Sequence, residues 1–230
     1  MAPSGLYPIL DVDSLRARSL DILAFAGAVL AARPAVVQLR AKSSSARDTL
    51  ALLSALAPIC QRAGTTLFAN DRPDLALLAG APGVHVGQDD LPLAEVRRFA
   101  PALLVGVSTH SLAELERALD ERPAYVAFGP VFATASKADH EPCVGLDGLR
   151  AAHERAAHAG VPLVAIGGID LTRAEAAAPH AEAAAVIGAL LPVTTPDGRA
   201  ALDEVTERAR ALDAVLRRGR PEARATRQGP

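Results

Sequence analysis

Eight short apolar runs alternate along the chain with longer stretches rich in Ala, Leu, Glu and Arg, and this alternation constrains the fold most strongly. The runs have the length and composition of buried β-strands, and the stretches between them have the apolar spacing of amphipathic helices. This order builds a parallel sheet covered by helices. Eight repeats predict an α/β fold in which residues 1–216 form a single-domain (β/α)8 TIM barrel.

The predicted elements follow directly from these patterns. The strands are expected at residues 5–10, 35–39, 65–69, 83–86, 103–107, 124–128, 162–166 and 183–187. The helices are expected at residues 14–30, 46–63, 73–79, 91–99, 112–120, 146–159, 172–178 and 196–217. Several helix ends carry suitable residues: Ser111 with Glu114 resembles a capping box, and Gly64, Gly80 and Gly160 stand where helix C-caps belong.

Composition excludes several classes of partner. The formal net charge is −2, and no basic face precedes the C-terminus, so a nucleic-acid partner is not expected. The N-terminus lacks a signal segment, and no apolar run reaches the roughly 18 residues of a membrane helix. We therefore expect a cytoplasmic protein without a membrane partner. A homo-oligomer is compatible with the sequence, which does not fix the oligomeric state.

The cysteines and the C-terminal tail complete this outline. Cys60 and Cys143 show no C-x-x-C spacing, and we expect both to be reduced thiols. Residues 217–230 are basic and lack an apolar period, which predicts a disordered tail. A weak electrostatic contact is the alternative role for this tail.

Two cations follow the second predicted strand. Gln38, Arg40 and Lys42 stand in one segment with Leu39 and Ala41. In a parallel barrel the carboxyl ends of all strands lie at the same end of the barrel. Residues that are distant in sequence can therefore meet there. Arginine supplies a bidentate fork and lysine a point charge, and both suit phosphoryl oxygens. A surface strip of salt bridges is the alternative interpretation.

Oxygen ligands follow the next two strands. Asn70 and Asp71 come after the third predicted strand, and Asp90 comes after the fourth. These groups can hold an octahedral Mg²⁺ that takes its remaining ligands from water and a diphosphate. Each aspartate also precedes a predicted helix with a nearby proline, so helix N-capping is the alternative.

Further polar groups follow the fifth and sixth strands. Ser108 can donate to a phosphate oxygen, whereas His110 can cap a helix, line the pocket or move a proton. Residues 133–145 form the longest predicted loop, the kind of loop that carries function on a barrel rim. Two hydroxyls and an ammonium suited to one phosphorylated ligand lie there, in the segment Thr134, Ala135, Ser136 and Lys137. A solvated loop is the alternative.

Glycines mark the ends of the last two strands. Gly167 and Gly168 follow the seventh strand, and Gly188 follows Ile187 at the end of the eighth. Barrels often bind phosphate at these two strand ends through backbone amides that glycine leaves accessible. This signal indicates a phosphate site without identifying the substrate.

Taken together, these segments resemble the thiamine-phosphate synthase family over roughly residues 6–191. In chain order, the motifs that carry the resemblance are Q-L-R-A-K, N-D-R-P-D-L-A, G-V-H-V-G-Q-D-D-L, G-V-S-T-H, G-P-V-F-A-T-A-S-K and V-A-I-G-G-I. The resemblance implies a transferase that joins hydroxymethylpyrimidine diphosphate to hydroxyethylthiazole phosphate and releases diphosphate.

The resemblance also implies a role for each site residue. Asp71 and Asp90 would hold one Mg²⁺ per active site. The pyrimidine diphosphate would be bound by Gln38, Leu39, Arg40, Ala41, Lys42, Asn70, Ser108 and Lys137. Among these, the groups acting on the leaving group would be Arg40, Lys42, Ser108 and Lys137. The thiazole phosphate would be bound by Thr134, Ala135, Ser136, Gly167, Gly168, Ile187 and Gly188.

This assignment fits a dissociative substitution. An electron-rich aminopyrimidine can expel diphosphate once cations neutralise the growing charge, and the thiazole nitrogen then captures the pyrimidylmethyl cation. No strong base is required. One position departs from the family pattern: Gly188 stands where the family usually has a residue with a hydroxyl group. Only a backbone contact to the thiazole phosphate is therefore expected at Gly188.

Two other functions compete with this interpretation. A thiazole tautomerase would bind thiazole phosphate and shift a proton, a task that His110 would suit. A non-catalytic thiazole-phosphate-binding protein would bind without turnover. The synthase is favoured because neither rival needs the full set of diphosphate-binding residues, which is Arg40, Lys42, Asn70, Asp71, Asp90 and Lys137.

Overall fold

Eight parallel strands close into one barrel in chain order, with β8 pairing with β1. The computed structural model describes residues 2–134, 142–193 and 198–220. The strands are β1 (Gly5–Asp11), β2 (Val36–Arg40), β3 (Thr66–Asn70), β4 (Gly83–Val86), β5 (Leu104–Thr109), β6 (Tyr125–Phe128), β7 (Leu163–Ile166) and β8 (Ala183–Val186). The predicted (β/α)8 barrel is confirmed, and each predicted strand is present.

Helices surround the barrel. In the described part of the chain they are α1 (Val12–Arg16), α2 (Ile22–Leu30), α3 (Ala46–Ala63), α4 (Pro73–Ala79), α5 (Leu93–Phe99), α6 (Leu112–Asp120), α7 (Gly145–Ala159), α8 (Leu171–Ala177) and α9 (Gly198–Arg218). Short 3-10 turns follow α8 and β8, at Ala178–His180 and Gly188–Leu190. Among the described helices, none has both the length and the apolar character needed to cross a membrane.

The prediction of one helix over residues 14–30 is wrong, because the segment forms α1 and α2 with a break between them. Ser19 in the break has a backbone φ of 54°, which a helix does not allow. Asp21 then begins a new helix, since its side chain accepts a hydrogen bond from the Ala24 amide. A capping residue in the middle of the predicted helix therefore starts a second helix.

The predicted helix caps are mostly confirmed. Gly64, Gly80 and Gly160 adopt left-handed conformations as C-caps, with φ values of 71°, 69° and 70°. Ser111 accepts a hydrogen bond from the Glu114 amide, as a capping box requires. The return bond differs, because the Glu114 carboxylate accepts from the amide of His110, one residue before the cap.

Three of the seven aromatic residues of the chain fill the barrel interior. Tyr7, Phe68 and Tyr125 are buried there, and the Tyr125 ring makes edge-on contacts with the other two rings. Glycines provide the space for them: a Cβ at Gly83 would overlap the Phe68 ring, and a Cβ at Gly106 would overlap the Tyr125 ring. The interior is therefore packed, and ligands must bind at its mouth.

Candidate active site

The mouth at the carboxyl ends of the strands gathers the residues predicted after β2. Gln38 and Arg40 lie on the same face of β2, as alternation predicts. Gln38 is buried inside the barrel, Arg40 is half-buried, and Lys42 lies beyond the strand end. Leu39 points to the opposite side and packs in the hydrophobic core between the strands and the surrounding helices, called the outer core below. Only its backbone can therefore face a ligand. Ala41 also packs against that outer core.

Two carboxyl groups meet beside Lys42. The Lys42 ammonium lies 2.5 Å from a carboxylate oxygen of Asp71. Asp90 accepts a 2.7 Å hydrogen bond from the Gly87 amide. Burial raises the pKa of Asp90, and hydrogen bonding and charge repulsion from Asp71 raise it further. Asp71 and Asp90 are therefore close neighbours, although different strands carry them.

Neither aspartate caps a helix. The N-cap of α4 is Arg72 and that of α5 is Pro92, and neither residue makes a side-chain cap bond. Asp71 instead continues the sheet, because its amide donates to the carbonyl of His85. Its φ of 62° is left-handed, a conformation that aspartate tolerates better than most residues. The capping alternative for these two carboxylates therefore fails.

The donor set suits a hydrated divalent cation. Within the described residues, no group of three or more His, Cys, Asp or Glu side chains could hold a metal ion. Mg²⁺ commonly uses one or two carboxylates and keeps its other positions for water and substrate phosphate. The pair formed by Asp71 and Asp90 fits that pattern, since a cation would also relieve their mutual repulsion. Asn70 ends β3 beside them and is half-buried.

Ser108 belongs to a buried hydrogen-bonded network that was not predicted from the sequence. Its hydroxyl lies 2.8 Å from His85 Nε2, and His85 Nδ1 lies 2.9 Å from the Tyr125 hydroxyl. The Tyr125 hydroxyl lies 2.7 Å from that of Tyr7, which accepts a hydrogen bond from Gln38 Nε2 at 3.2 Å. The chain of bonds therefore runs across the barrel from β2 to β5.

The two tyrosines of this network stay protonated and therefore uncharged. Burial raises the pKa of both Tyr7 and Tyr125 above the usual value of 10.0. The Ser108 carbonyl also accepts a hydrogen bond from Gln88 Nε2. The alternation of side chains along a strand could have identified His85, since this residue shares the inward face of β4 with Gly83. The network fixes the position of the Ser108 hydroxyl at the mouth.

His110 has a structural contact. Its Nδ1 lies 2.7 Å from the carbonyl oxygen of Gly129, so Nδ1 carries the proton and donates. The bond joins the end of β5 to the segment after β6. This contact supplies a structural role for His110, the residue that suited the tautomerase alternative.

The proposed thiazole-phosphate end lies at β7 and β8. Gly167 and Gly168 have φ values of 99° and 64°, and a Cβ at either would collide with the segment that follows β6. Ile187 and Gly188 stand at the start of the 3-10 turn after β8.

Thr134 is the last described residue before residues 135–141, so the predictions for Ala135, Ser136 and Lys137 lie outside the described residues.

Similarity to known proteins agrees with this geometry. The family model described as thiamine monophosphate synthase matches residues 6–190. The thiamine-phosphate synthase of Chloroflexus aurantiacus is 40% identical over 92% of this chain and 92% of its own. That of a Roseiflexus species is 40% identical over 93% of this chain and 87% of its own.

A solved structure shows the same fold. The thiamine phosphate pyrophosphorylase of Pyrococcus furiosus superimposes with a TM-score of 0.75 at 29% identity, covering 92% of this chain and 96% of its own. The family model spans the barrel from β1 to the turn after β8, and so includes every strand end at the mouth. The chain therefore belongs to the thiamine monophosphate synthase family.

Proposed function

We propose that this chain is a thiamine-phosphate synthase that joins a pyrimidine diphosphate to a thiazole phosphate. The bond between the pyrimidine methylene carbon and the diphosphate oxygen breaks, and diphosphate leaves with the electron pair. The thiazole nitrogen then donates its lone pair to the methylene carbon, giving thiamine phosphate. The observation that carries the proposal is the pairing of Asp71 with Asp90 beside Lys42, at the mouth that also holds Arg40 and Ser108.

The leaving group would be bound by the residues around this pair. Arg40, Lys42, Asn70 and Ser108 would contact the diphosphate oxygens, and Lys137 would join them from the loop after β6. Cationic and hydroxyl donors stabilise charge that develops as the bond breaks. Leu39 and Ala41 would contribute only backbone atoms, because both side chains pack against the outer core.

A divalent cation is the proposed cofactor. Asp71 and Asp90 would hold one Mg²⁺, which when bound would neutralise charge on the diphosphate. Burial and repulsion from Asp71 raise the pKa of Asp90, and a bound cation would relieve that repulsion, which supports this assignment. Lys42 already offsets part of the same charge, and it would move toward the diphosphate when the cation binds.

The thiazole phosphate would bind opposite the diphosphate. Thr134, Ala135 and Ser136 would supply polar contacts from the loop after β6. Backbone amides at the ends of β7 and β8 would supply the remainder, from Gly167, Gly168, Ile187 and Gly188. The tight approach of the glycines after β7 to the segment after β6 supports one continuous phosphate-binding edge.

The setting that we propose is the cytoplasm, with small phosphorylated molecules as the only substrates and no nucleic-acid partner. Support comes from the formal net charge of −2 and from two free cysteines. Cys60 is buried, which raises the pKa of its thiol to about 11 and disfavours the reactive thiolate.

The direct test is incubation of the purified chain with both substrates and MgCl₂. Thiamine phosphate and inorganic diphosphate should appear in equal amounts. Consumption or binding of the thiazole phosphate without diphosphate release would contradict the proposal. A reaction without the thiazole phosphate serves as the control for hydrolysis of the pyrimidine diphosphate.

A further inference from the structure

Asp11 lies beside Arg40 at the mouth of the barrel. The two residues end β1 and β2 and are direct partners in the register of these strands. A carboxylate oxygen of Asp11 accepts a hydrogen bond from Arg40 Nη1 at 2.5 Å. Because neighbouring strands carry both residues, the contact is built into the barrel rather than into a surface loop.

Both oxygens of Asp11 are used although the residue is almost completely buried. It is 5% exposed, and its other oxygen accepts a 2.9 Å hydrogen bond from the Ser14 amide at the start of α1. Burial alone would raise the pKa of Asp11, but the bonds from Ser14 and the charge of Arg40 outweigh it and lower the pKa. Asp11 is therefore a buried anion whose counter-ion is Arg40.

Helix capping does not require this buried charge. Neutral serine and asparagine cap helices as well as aspartate does. Asp21 shows the capping role by itself: it is exposed and accepts a hydrogen bond from the Ala24 amide at the start of α2. The bond from Asp11 to Arg40 is thus additional to the helix cap.

Arg40 has donors to spare for a ligand. A guanidinium carries five N–H groups. Among the residues that the structure describes, Asp11 is the one hydrogen-bond partner of this side chain. One edge of the guanidinium is therefore fixed by Asp11, and other N–H groups remain to bind the oxygens of an anion.

We propose that Asp11 is a positioning residue that holds the Arg40 guanidinium in the orientation that receives the diphosphate of the pyrimidine substrate. This inference rests on the proposed function. An arginine held in place before the substrate arrives loses less conformational freedom on binding. The bond also keeps the positive charge at the point where the leaving group departs.

A simple charge argument predicts the opposite effect. Asp11 carries a negative charge next to the anion site, so its removal would strengthen diphosphate binding if only net charge mattered. Positioning and net charge therefore give opposite signs for the same substitution. The sign of the change decides between them.

The test compares Asp11→Asn and Asp11→Ser with the control Asp21→Asn. Serine retains a cap for α1 without reaching Arg40, so it provides a second variant if asparagine impairs folding. We expect both Asp11 variants to raise the KM for the pyrimidine diphosphate by about 10- to 100-fold, the range expected for a misplaced binding group. The KM for the thiazole phosphate should change by less than about 2-fold, since only one substrate loses a contact.

A double-mutant cycle links the effect to Arg40. If Asp11 acts through Arg40, Asp11→Asn should add little to the defect of Arg40→Ala. Isothermal titration with inorganic diphosphate and MgCl₂ should show the same weakening without turnover. Unchanged or tighter diphosphate binding in both Asp11 variants would overturn the inference, as would fully additive effects in the cycle.

The same data separate this inference from the proposed function. If the wild-type chain makes thiamine phosphate but the Asp11 variants match it, only the positioning role fails. If the wild-type chain makes no thiamine phosphate, the proposed function fails, and the titration with inorganic diphosphate still decides the role of Asp11.

Discussion

At the scale of single residues, the site is defined by two carboxyl groups held side by side. Burial, together with repulsion from Asp71, disfavours the charged form of Asp90 and raises its pKa. The sequence predicted that both residues lie at the mouth, because Asp71 directly follows β3 and Asp90 lies in the turn after β4. It did not predict the contact between Asp90 and the Gly87 amide, which depends on how the turn after β4 folds.

Asp90 provides a prediction about pH. Its pKa is raised above the usual 3.8 in the folded protein, so the folded state holds its proton more tightly than the unfolded chain. Stability is therefore lost as the pH rises through the folded-state pKa. In metal-free buffer, Asp90→Asn should melt at a higher temperature than wild type at pH 7, and the difference should shrink toward pH 3.5.

The same variant tests the proposed cation site. MgCl₂ should raise the Tm of the wild-type chain but not that of Asp90→Asn, because a ligand that binds the folded state stabilises it. Asp89→Asn is the matched control, since this neighbouring aspartate is exposed, and it should respond as wild type does. Equal stabilisation of Asp90→Asn by MgCl₂ would refute the ligand role.

His85 provides a prediction about stability. It contacts both the Tyr125 hydroxyl and the Ser108 hydroxyl inside the barrel. His85→Phe would leave buried polar groups without this partner, which costs about 1–3 kcal/mol. Urea denaturation should show that loss, whereas His158→Phe on the exposed side of α7 should change the free energy of unfolding little. Equal stability of both variants would show that the network contributes nothing.

At the scale of elements, strand order and most helix ends follow from the sequence. Apolar period predicted the eight strands, and glycine placement predicted the C-caps at Gly64, Gly80 and Gly160. The break between α1 and α2 was not predicted, because one helix was drawn from Ser14 to Leu30 across the polar residues between them. The side chain of Asp21 decides that boundary, and capping is a local signal that a periodic pattern does not contain.

Substitution of two glycines by alanine tests what an added methyl group does in a packed strand and in an uncrowded helix. Gly106→Ala should destabilise the fold by about 1–3 kcal/mol, because its Cβ would overlap the Tyr125 ring in the packed interior. Gly27→Ala in α2 should stabilise it by about 0.5–1 kcal/mol, since nothing lies within 4 Å and alanine favours the helix. Thermal or urea denaturation of both variants distinguishes these signs, and a stable Gly106→Ala would contradict tight interior packing.

At the scale of the whole molecule, closure of the barrel creates the site. Groups at or just after the carboxyl ends of β2, β3, β4 and β5 meet because all eight strands run parallel and end on one rim. The repeat count in the sequence was enough to predict that convergence. Contacts across the interior, such as that between the hydroxyls of Tyr7 and Tyr125, were not predictable, since they depend on which inward side chains reach each other after closure.

We propose that Asp71 and Asp90 hold a cation that assists departure of the diphosphate. The most direct measurement is the rate of thiamine phosphate formation as MgCl₂ is titrated into the metal-free enzyme with both substrates. The rate should rise from near zero to saturation, and Asp71→Asn should stay near zero while its folding is retained. Wild-type rates in excess chelator, or full activity of Asp71→Asn, would rule out this role for the two carboxylates.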